Sequence, residues 1–348
     1  QKILLEKLCI YGVREKYLMD RRQFVAIQDS DSETLCISHG VPQGSILGPL
    51  LFLLYINDFP MCTRSSVAYH FGDDTTVLFH DKSVKKNRKS MSQQLYVILG
   101  WLSANRLSLN AKKTELVLFR PKHKSHPTRL TVKIRGCKVF LSNKVKYLGV
   151  ILDSHLKWHF HIIELEKKLS STIGLLSRIR HYVDTKTLRS LYFSLFHSHL
   201  LYGSLVWGLA SQEQLKKLIR LQKRAIRTIT FVDFQEPTSP LFHKLSILKL
   251  EDAIKMKQYE FLYDWKSNKL PPAFRNYFTY NETGRNTRLG ATPHLTIPRR
   301  KTETYGSTCM KYQGALLHNQ ILSRGIEFAA PKPIFMTTMK TFFLATYV

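Results

Sequence analysis

Negative charge is what this sequence has least of. Its 348 residues hold 25 Asp and Glu against 53 Lys and Arg, a formal charge of +28. That excess leaves a polyanion as the natural partner, nucleic acid before membrane. Cysteine is sparse too. Cys9, Cys36, Cys62, Cys137 and Cys309 show no paired spacing, which excludes a disulfide framework and a zinc site and leaves reduced thiols. Long apolar runs are missing. The longest, Ile46 to Ile56, is broken by Gly48-Pro49 and is too short to span a membrane. There is no internal repeat and no signal peptide, since the N-terminus is already amphipathic. The first residue is Gln1 rather than Met, so the sequence is expected to be a piece of a longer product. What is present suits a packed protein. Apolar residues make up 44% of a chain long enough for two or three domains.

The chemistry is concentrated in residues 40–79. Val67 to Phe71 and Thr75 to Phe79 are rich in β-branched and aromatic residues, as strands are. Gly72-Asp73 between them is a turn signal. The pattern predicts two strands meeting at a tight turn, with the adjacent carboxylates of Asp73 and Asp74 at its tip. Two like charges side by side repel, and a hard divalent cation such as Mg²⁺, which prefers oxygen ligands, relieves them. A solvated Asp-Asp turn is the plainer alternative. Upstream lies Gly40-Val41-Pro42-Gln43-Gly44-Ser45-Ile46-Leu47-Gly48-Pro49. Gly48 at a cap and Pro49 at the first helical position predict a helix start, continued by the apolar run to Ile56. Glycines without a Cβ let the preceding loop approach a nucleotide closely. A Gly-Pro loop leading into a core helix is the alternative here.

Together the two patches resemble the reverse transcriptases of non-LTR (LINE-type) retrotransposons. In that family a Gly-Val-Pro-Gln-Gly-Ser-x-Leu-Gly-Pro loop precedes an aromatic-Ala-Asp-Asp-Thr hairpin. This chain has residues 40–49 for the first and Phe71-Gly72-Asp73-Asp74-Thr75 for the second, with Gly72 in place of the usual Ala. Leu54-Tyr55-Ile56-Asn57-Asp58 stands between them. The resemblance runs from Gln1 to about Leu322 and takes in Leu109-Asn110-Ala111-Lys112-Lys113-Thr114 and Tyr147-Leu148-Gly149. It implies DNA synthesis on an RNA template, from a DNA primer and deoxynucleoside triphosphates. It also implies two Mg²⁺ ions at Asp73 and Asp74, a nucleotide and template pocket lined by Gln43 and Gly44, and Lys113 as general acid or charge stabiliser near the leaving pyrophosphate. Tyr147, Leu148 and Gly149 resemble a primer grip. The expected location is intracellular, in nucleus or cytoplasm with the element's RNA. The family motif holding the first catalytic Asp precedes an Ile-Leu-Leu-x-Lys-Leu helix. The sequence begins at that helix, with Gln1-Lys2-Ile3-Leu4-Leu5, and neither Asp58 nor Asp81 matches the missing carboxylate. The chain as it stands is therefore expected not to polymerise at a measurable rate. The alternative reading is a remnant that binds nucleic acid and does no chemistry.

Elsewhere the spacing predicts a helix over 1–17, a strand at 21–27, a hairpin turn over 28–34 and a basic loop at 82–89. A helix is expected at 90–105, and strands at 115–119, 130–134 and 139–141. After Trp158 helices take over. Ile162, Leu165, Leu169, Ile173, Leu176 and Ile179 form one apolar stripe. Asp184 can cap a second helix running through Leu201, and Ser211 to Gln214 has the form of a capping box for a third. In the third, Lys216, Lys217, Arg220, Lys223, Arg224 and Arg227 are all positive, with no acid between Glu213 and Asp233. One apolar face and one uniformly basic face suit a phosphate backbone. Thr238-Ser239-Pro240 suggests a boundary, Leu250 to Lys266 another helix, and Arg299-Arg300-Lys301 marks a basic tail. The resulting class is α+β. A partial reverse-transcriptase palm and fingers, an antiparallel sheet with helices, occupies 1–152. An α-helical thumb follows at 153–235 and a basic C-terminal region at 236–348.

Overall fold

The structure, a computed structural model, describes residues 2–12, 21–37, 40, 44–63, 66–122, 131–134, 136–281, 294–300, 302–326, 328 and 330–348. They form two compact units, one of Gln1–Leu118 with Lys122–Ser142 and one of Phe119–Pro121 with Asn143–Val348.

The first unit mixes helix and strand. α1 (Lys2–Ile10) buries Leu4 and Leu8 against Leu51 of α2 (Gly48–Ile56). The expected continuation of α1 to residue 17 lies largely outside the described residues. β1 (Arg22–Gln23) pairs with β4 (Leu35–Cys36), and β2 (Ala26–Ile27) with β3 (Ser30–Asp31), both antiparallel. Residues 28–34, expected to be one turn, are a tighter hairpin. The chain reverses at Gln28-Asp29, and the Val25 N–H donates to Ser32 Oγ at 2.9 Å, which resumes the pairing at once. β5 (Val67–Phe71) and β6 (Asp74–Leu78) form the predicted hairpin. α3 (Val84–Ala104) starts six residues early, so most of the basic loop expected at 82–89 is its first turns. Lys and Arg are good helix formers. Ser83 stands at the N-cap position, and its N–H is taken by the Asp81 carboxylate at 2.9 Å. β7 (Leu116–Val117) runs parallel to β9 (Cys137–Ser142), which pairs antiparallel with β8 (Thr131–Ile134). Val132 and Ile134 of β8 point inward to Met91 of α3 while their neighbours stay exposed, the alternation of a half-buried strand.

The second unit opens on the hairpin of β10 (Lys144–Tyr147) and β11 (Val150–Asp153). Helices follow: α4 (His159–Ile179), α5 (Thr185–Leu191), a π-helical turn (Tyr192–His197), α6 (Ser198–Leu201), α7 (Ser204–Trp207) and α8 (Gln212–Thr230). Then come α9 (Ser239–Lys244), α10 (Leu250–Lys266), α11 (Glu303–Gly306), α12 (Met310–Ser323) and α13 (Lys332–Ala345). The stripe read from the sequence is the buried side of α4. Asp184 caps α5 as expected, accepting the Thr187 N–H at 2.9 Å. The helix expected to run through Leu201 is interrupted by the π turn. The capping box at Ser211 does not form, since its side chain makes no cap bond. Thr238-Ser239-Pro240 opens α9 with proline in its first turn, a position where the missing N–H costs nothing. One hydrophobic core spans it, from Ile162 and Leu218 to Ile254 and Phe343. Packing therefore divides the chain after Ser142, whereas the functional regions expected from sequence divide at 152 and 235.

Two polar devices hold this helical core. Gln222 on α8 is 1% exposed. Its Nε2 donates to Tyr192 Oη at 3.0 Å and to the Leu248 carbonyl at 2.9 Å, and its Oε1 accepts the Leu250 N–H at 2.8 Å. One amide thus joins α8, the π turn and the start of α10. The second device clasps α13 to α10 at both ends. Lys332 Nζ donates to both Asp264 oxygens at 2.9 and 2.7 Å. The Tyr347 hydroxyl donates to Asp252 Oδ2 at 2.6 Å and accepts the Lys249 N–H at 3.0 Å. Among the described residues no helix is long and apolar enough to cross a membrane.

Replacing Gln222 by Ala leaves buried donors and acceptors unpaired, which costs about 2–3 kcal/mol; urea denaturation measures the loss. Acid weakens the same unit. Burial pushes His197 from the ordinary 6.5 to about 4, helped by Lys257 and Lys340. Burial does the same to His318, helped by Lys266 and His294 and opposed by Asn319. Between about pH 6.5 and 4 the unfolded chain takes up protons that the folded chain refuses, so stability falls as pH drops through that window and levels off below it. Melting temperatures across pH 4–8 should show this slope, and a His197→Phe, His318→Phe double variant should flatten it.

Candidate functional site

The hairpin that carries the carboxylate pair is built by its turn. β5 and β6 pair from Val67↔Leu78 to Phe71↔Asp74, leaving Gly72 and Asp73 as a two-residue loop. Gly72 takes φ 59°, a conformation open to glycine because it has no Cβ. Asp73 therefore sits in the loop and Asp74 begins β6, both exposed. Behind the tip, His70 packs edge-to-face on Phe59 at 4.7 Å, and Phe59 does the same on Trp101 of α3 at 5.0 Å. His70 Nδ1 lies 3.0 Å from Thr75 Oγ1. Burial lowers the His70 pKa below its ordinary value, which favours the neutral ring. One side of the hairpin is thus held by aromatic packing while its tip stays open.

The nearby acids already have structural duties. Asp58 Oδ1 accepts from Lys7 Nζ at 2.6 Å, and its Oδ2 accepts from Trp101 Nε1 at 3.3 Å. Lys7 also donates to the Tyr55 carbonyl at 2.6 Å and lies over the Tyr55 and Trp101 rings. This knot joins α1, α2 and α3. Sequence reading gave Lys7 no role of its own, because its partner Asp58 lies 51 residues away. Asp81 serves the start of α3. By contrast, no side-chain hydrogen bond or ion pair engages Asp73 or Asp74 among the described residues.

Two adjacent, exposed carboxylates are a fit donor set for a hard divalent cation, though an incomplete one. Mg²⁺ wants six oxygens and commonly takes the rest from water and substrate phosphates. Among the described residues no group of three His, Cys, Asp or Glu is placed to hold a metal. Of the loop at 40–49, Gly40 and Gly44 adopt φ 71° and 84°. Gln43 lies outside the described residues. The helix begins at Gly48 after Leu47, one residue ahead of the expected cap. Lys113 is exposed in a turn shaped by Asn110, whose Oδ1 accepts the Lys112 and Lys113 N–H groups at 3.2 Å. That turn gives the Asn-x-x-Lys spacing a local cause.

In the second unit, Leu148 and Gly149 form the loop of the β10–β11 hairpin at φ 44° and 82°. Leu148 pays a steric penalty there and is secured by Tyr202, whose hydroxyl donates to its carbonyl at 2.6 Å. Tyr147 is half-buried. Asp153, at the far end of the hairpin, is buried and structural. It accepts N–H groups from His155, Lys157 and Trp158, turning the chain into α4. A cleft of about 280 Å³ beside the loop is lined by Lys146, Gly149, His161, Lys168, His199 and Tyr202, among others.

α8 shows the expected two faces. Leu215, Leu218, Ala225, Ile226 and Ile229 are buried, while Lys216, Lys217, Arg220, Lys223 and Arg224 are exposed. Two details qualify the basic face. Lys217 lies 4.0 Å from Glu166 of α4. Arg227 is half-buried and donates from Nε and Nη2 to the Glu236 carbonyl at 3.1 and 2.8 Å.

Residues 2–152 match the family described as reverse transcriptase (RNA-dependent DNA polymerase). The chain is 28% identical over 254 residues to the probable RNA-directed DNA polymerase from transposon BS of Drosophila melanogaster, covering 70% of this chain and 28% of that protein. It is 28% identical over 253 residues to the corresponding protein of transposon X-element, covering 70% and 27%. It is 27% identical over 256 residues to the RNA-directed DNA polymerase from mobile element jockey, covering 71% and 28%. The chain thus spans under a third of the length of these relatives. No solved structure matches it.

The two hairpin glycines should respond differently to a methyl group. At Gly72 an added Cβ meets no atom within 4 Å, so Gly72→Ala carries only the local strain of a left-handed backbone, about 1–2 kcal/mol. At Gly149 the Cβ would also meet Tyr202 Cε1 at 3.0 Å, and Gly149→Ala should cost more. Chemical denaturation of the two variants checks the order.

Proposed function

Because residues 2–152 belong to the reverse transcriptase family of non-LTR retrotransposons, we propose that this chain carries the core of an RNA-directed DNA polymerase whose reacting centre is the tip of the β5–β6 hairpin. The observation that carries this reading is the pair Asp73-Asp74, exposed on a glycine turn and without side-chain partners among the described residues. In this reading residues 1–152 are palm and fingers, 153–235 the thumb and 236–348 a basic C-terminal region. The substrates are an RNA template, a DNA primer and deoxynucleoside triphosphates.

The side chains then have distinct tasks. Asp73 and Asp74 hold divalent cations, Mg²⁺ in this proposal, with Asp73 the more direct ligand. The bound metal supplies activation of the primer 3′-hydroxyl and charge neutralisation at the phosphates. Gln43 and Gly44 line the pocket for the incoming nucleotide and template. Lys113 gives a proton or a positive charge to the departing pyrophosphate. Tyr147, Leu148 and Gly149 steady the primer. Lys216, Lys217, Arg220, Lys223 and Arg224 hold phosphates of the duplex, and Arg227 shapes that face from its Glu236 contact.

Primer extension tests the proposal, run on the chain alone and with its natural flanking coding sequence. The expected result is no measurable extension by the chain alone and Mg²⁺-dependent extension with the flanking sequence, which Asp73→Asn lowers by about a hundred- to a thousandfold, a typical loss for a catalytic electrostatic group, with template–primer affinity unchanged. Extension in neither form, despite tight binding, would overturn it. So would extension that survives Asp73→Asn.

A further inference from the structure

We propose that the joined C-terminal ends of α4 and α8 form a stacking platform for unpaired bases, so that the basic face of α8 leads a single nucleic acid strand onto a cluster of exposed aromatic rings. This goes beyond polymerisation and does not depend on it. α4 and α8 lie side by side in the same direction. Lys217 reaches Glu166 near their starts, and Arg180 lies 5.2 Å from the Phe231 ring centre where both end.

Three aromatics gather at that end with little cover. Phe231 is 48% exposed, Phe234 81% and Tyr182 87%. Each has a cationic or imidazole neighbour in space or sequence. Arg180 and His181 flank Phe231, His181 edge-on at 5.7 Å. Arg227 lies over Phe234 at 5.3 Å, its guanidinium held by the Glu236 carbonyl. Tyr182 follows His181. A fixed arginine on one face of a ring leaves the other face for a base, and ring-plus-arginine pairs are how single strands are gripped without regard to sequence.

The backbone at Phe231 supplies an independent observation. Phe231 ends α8 at φ 58°, the position where glycine or asparagine is favoured because a side chain there is strained. The ring is not part of the buried core, and its contacts are with the exposed end of α4, through Arg180 and His181. A strained residue retained at a surface points to a use for its side chain.

Charge directs the strand. Lys216, Arg220, Lys223, Arg224 and Arg227 follow one another at helical spacing and end at Phe231, a run of about 22 Å at 1.5 Å per residue. Asp233, Glu236 and Asp184 are sequence neighbours of the tip. They offset the charge of Arg180 and Arg227 there, so the surplus positive charge lies along α8 and the phosphates are drawn to it.

Fluorescence anisotropy of the full chain with a labelled 12-nucleotide strand, and with the same sequence as a blunt duplex, tests this. Phe231→Gly is the decisive variant, since glycine relieves the backbone strain and should leave the protein as stable or more so. Combined with Phe234→Ser, it is expected to weaken single-strand binding at least about tenfold while changing duplex binding less than about twofold and leaving the salt slope intact. RNA and DNA strands of one sequence should bind within a few-fold of each other, because stacking uses only base faces. Unchanged single-strand affinity would overturn the proposal. So would an equal loss for strand and duplex, or a tenfold preference for one sugar.

Discussion

The apolar side of α8 has to be buried, and that requirement commits its other side to solvent. Each fully buried Leu or Ile on the inner face contributes roughly 1.5–3 kcal/mol, and Leu218, Ile226 and Ile229 have no exposed surface at all. Rotation about the helix axis is then impossible without exposing them. Lys216, Arg220, Lys223 and Arg224 consequently form a fixed stripe rather than a mobile cloud of charge. Gln222 adds directional bonds to the π turn and to α10. A single helix thereby links core stability to the surface charge that a polyanion meets.

Turn geometry does comparable work where the chain presents polar atoms. Gly72 lets Asp73 and Asp74 occupy a tip that an ordinary residue would strain. Leu148 is held in a left-handed turn by the Tyr202 hydroxyl, which orients the neighbouring loop backbone. Phe231 occupies a left-handed cap. At Leu148 the unfavourable backbone is retained by its partner, whereas at Gly72 the missing Cβ removes the strain.

In a chain with about half as many acids as bases, the fate of each carboxylate is informative. Asp58 answers Lys7, Asp264 answers Lys332, Asp252 meets Tyr347, and Asp153 gathers backbone N–H groups. These acids are neutralised or hydrogen-bonded by their own fold. Asp73 and Asp74, next to each other and exposed, are left to be balanced from outside. Asp31 and Asp233 are also exposed, with no side-chain hydrogen bond among the described residues, so it is the adjacency of two carboxylates at a hairpin tip that underlies the proposed cation site.

Local order was legible in the sequence because its causes are local. The Val67–Leu78 hairpin follows from β-branched runs around Gly-Asp. The α4 stripe follows from 3.6-residue periodicity, and Leu250–Lys266 appears with the predicted ends. Errors arose where a distant or cooperative partner decides. The basic run 82–89 looks like a loop but forms the first turns of α3, whose buried residues Met91 and Ile98 lie further along. Ser211 fits a capping pattern but makes no cap bond. Thr238-Ser239-Pro240 looks like a boundary but opens α9 within one continuous core. The sequence by itself determined the order of the motifs, the amphipathic helices, the sign of the surface and the family. Only the tertiary structure decided that Asp58 belongs to Lys7, that Gln222 is a buried junction, and that Arg180 and Phe231 share one helix end. Those are contacts between residues tens of positions apart, and side-chain spacing along a chain carries no record of which distant surfaces burial will bring together.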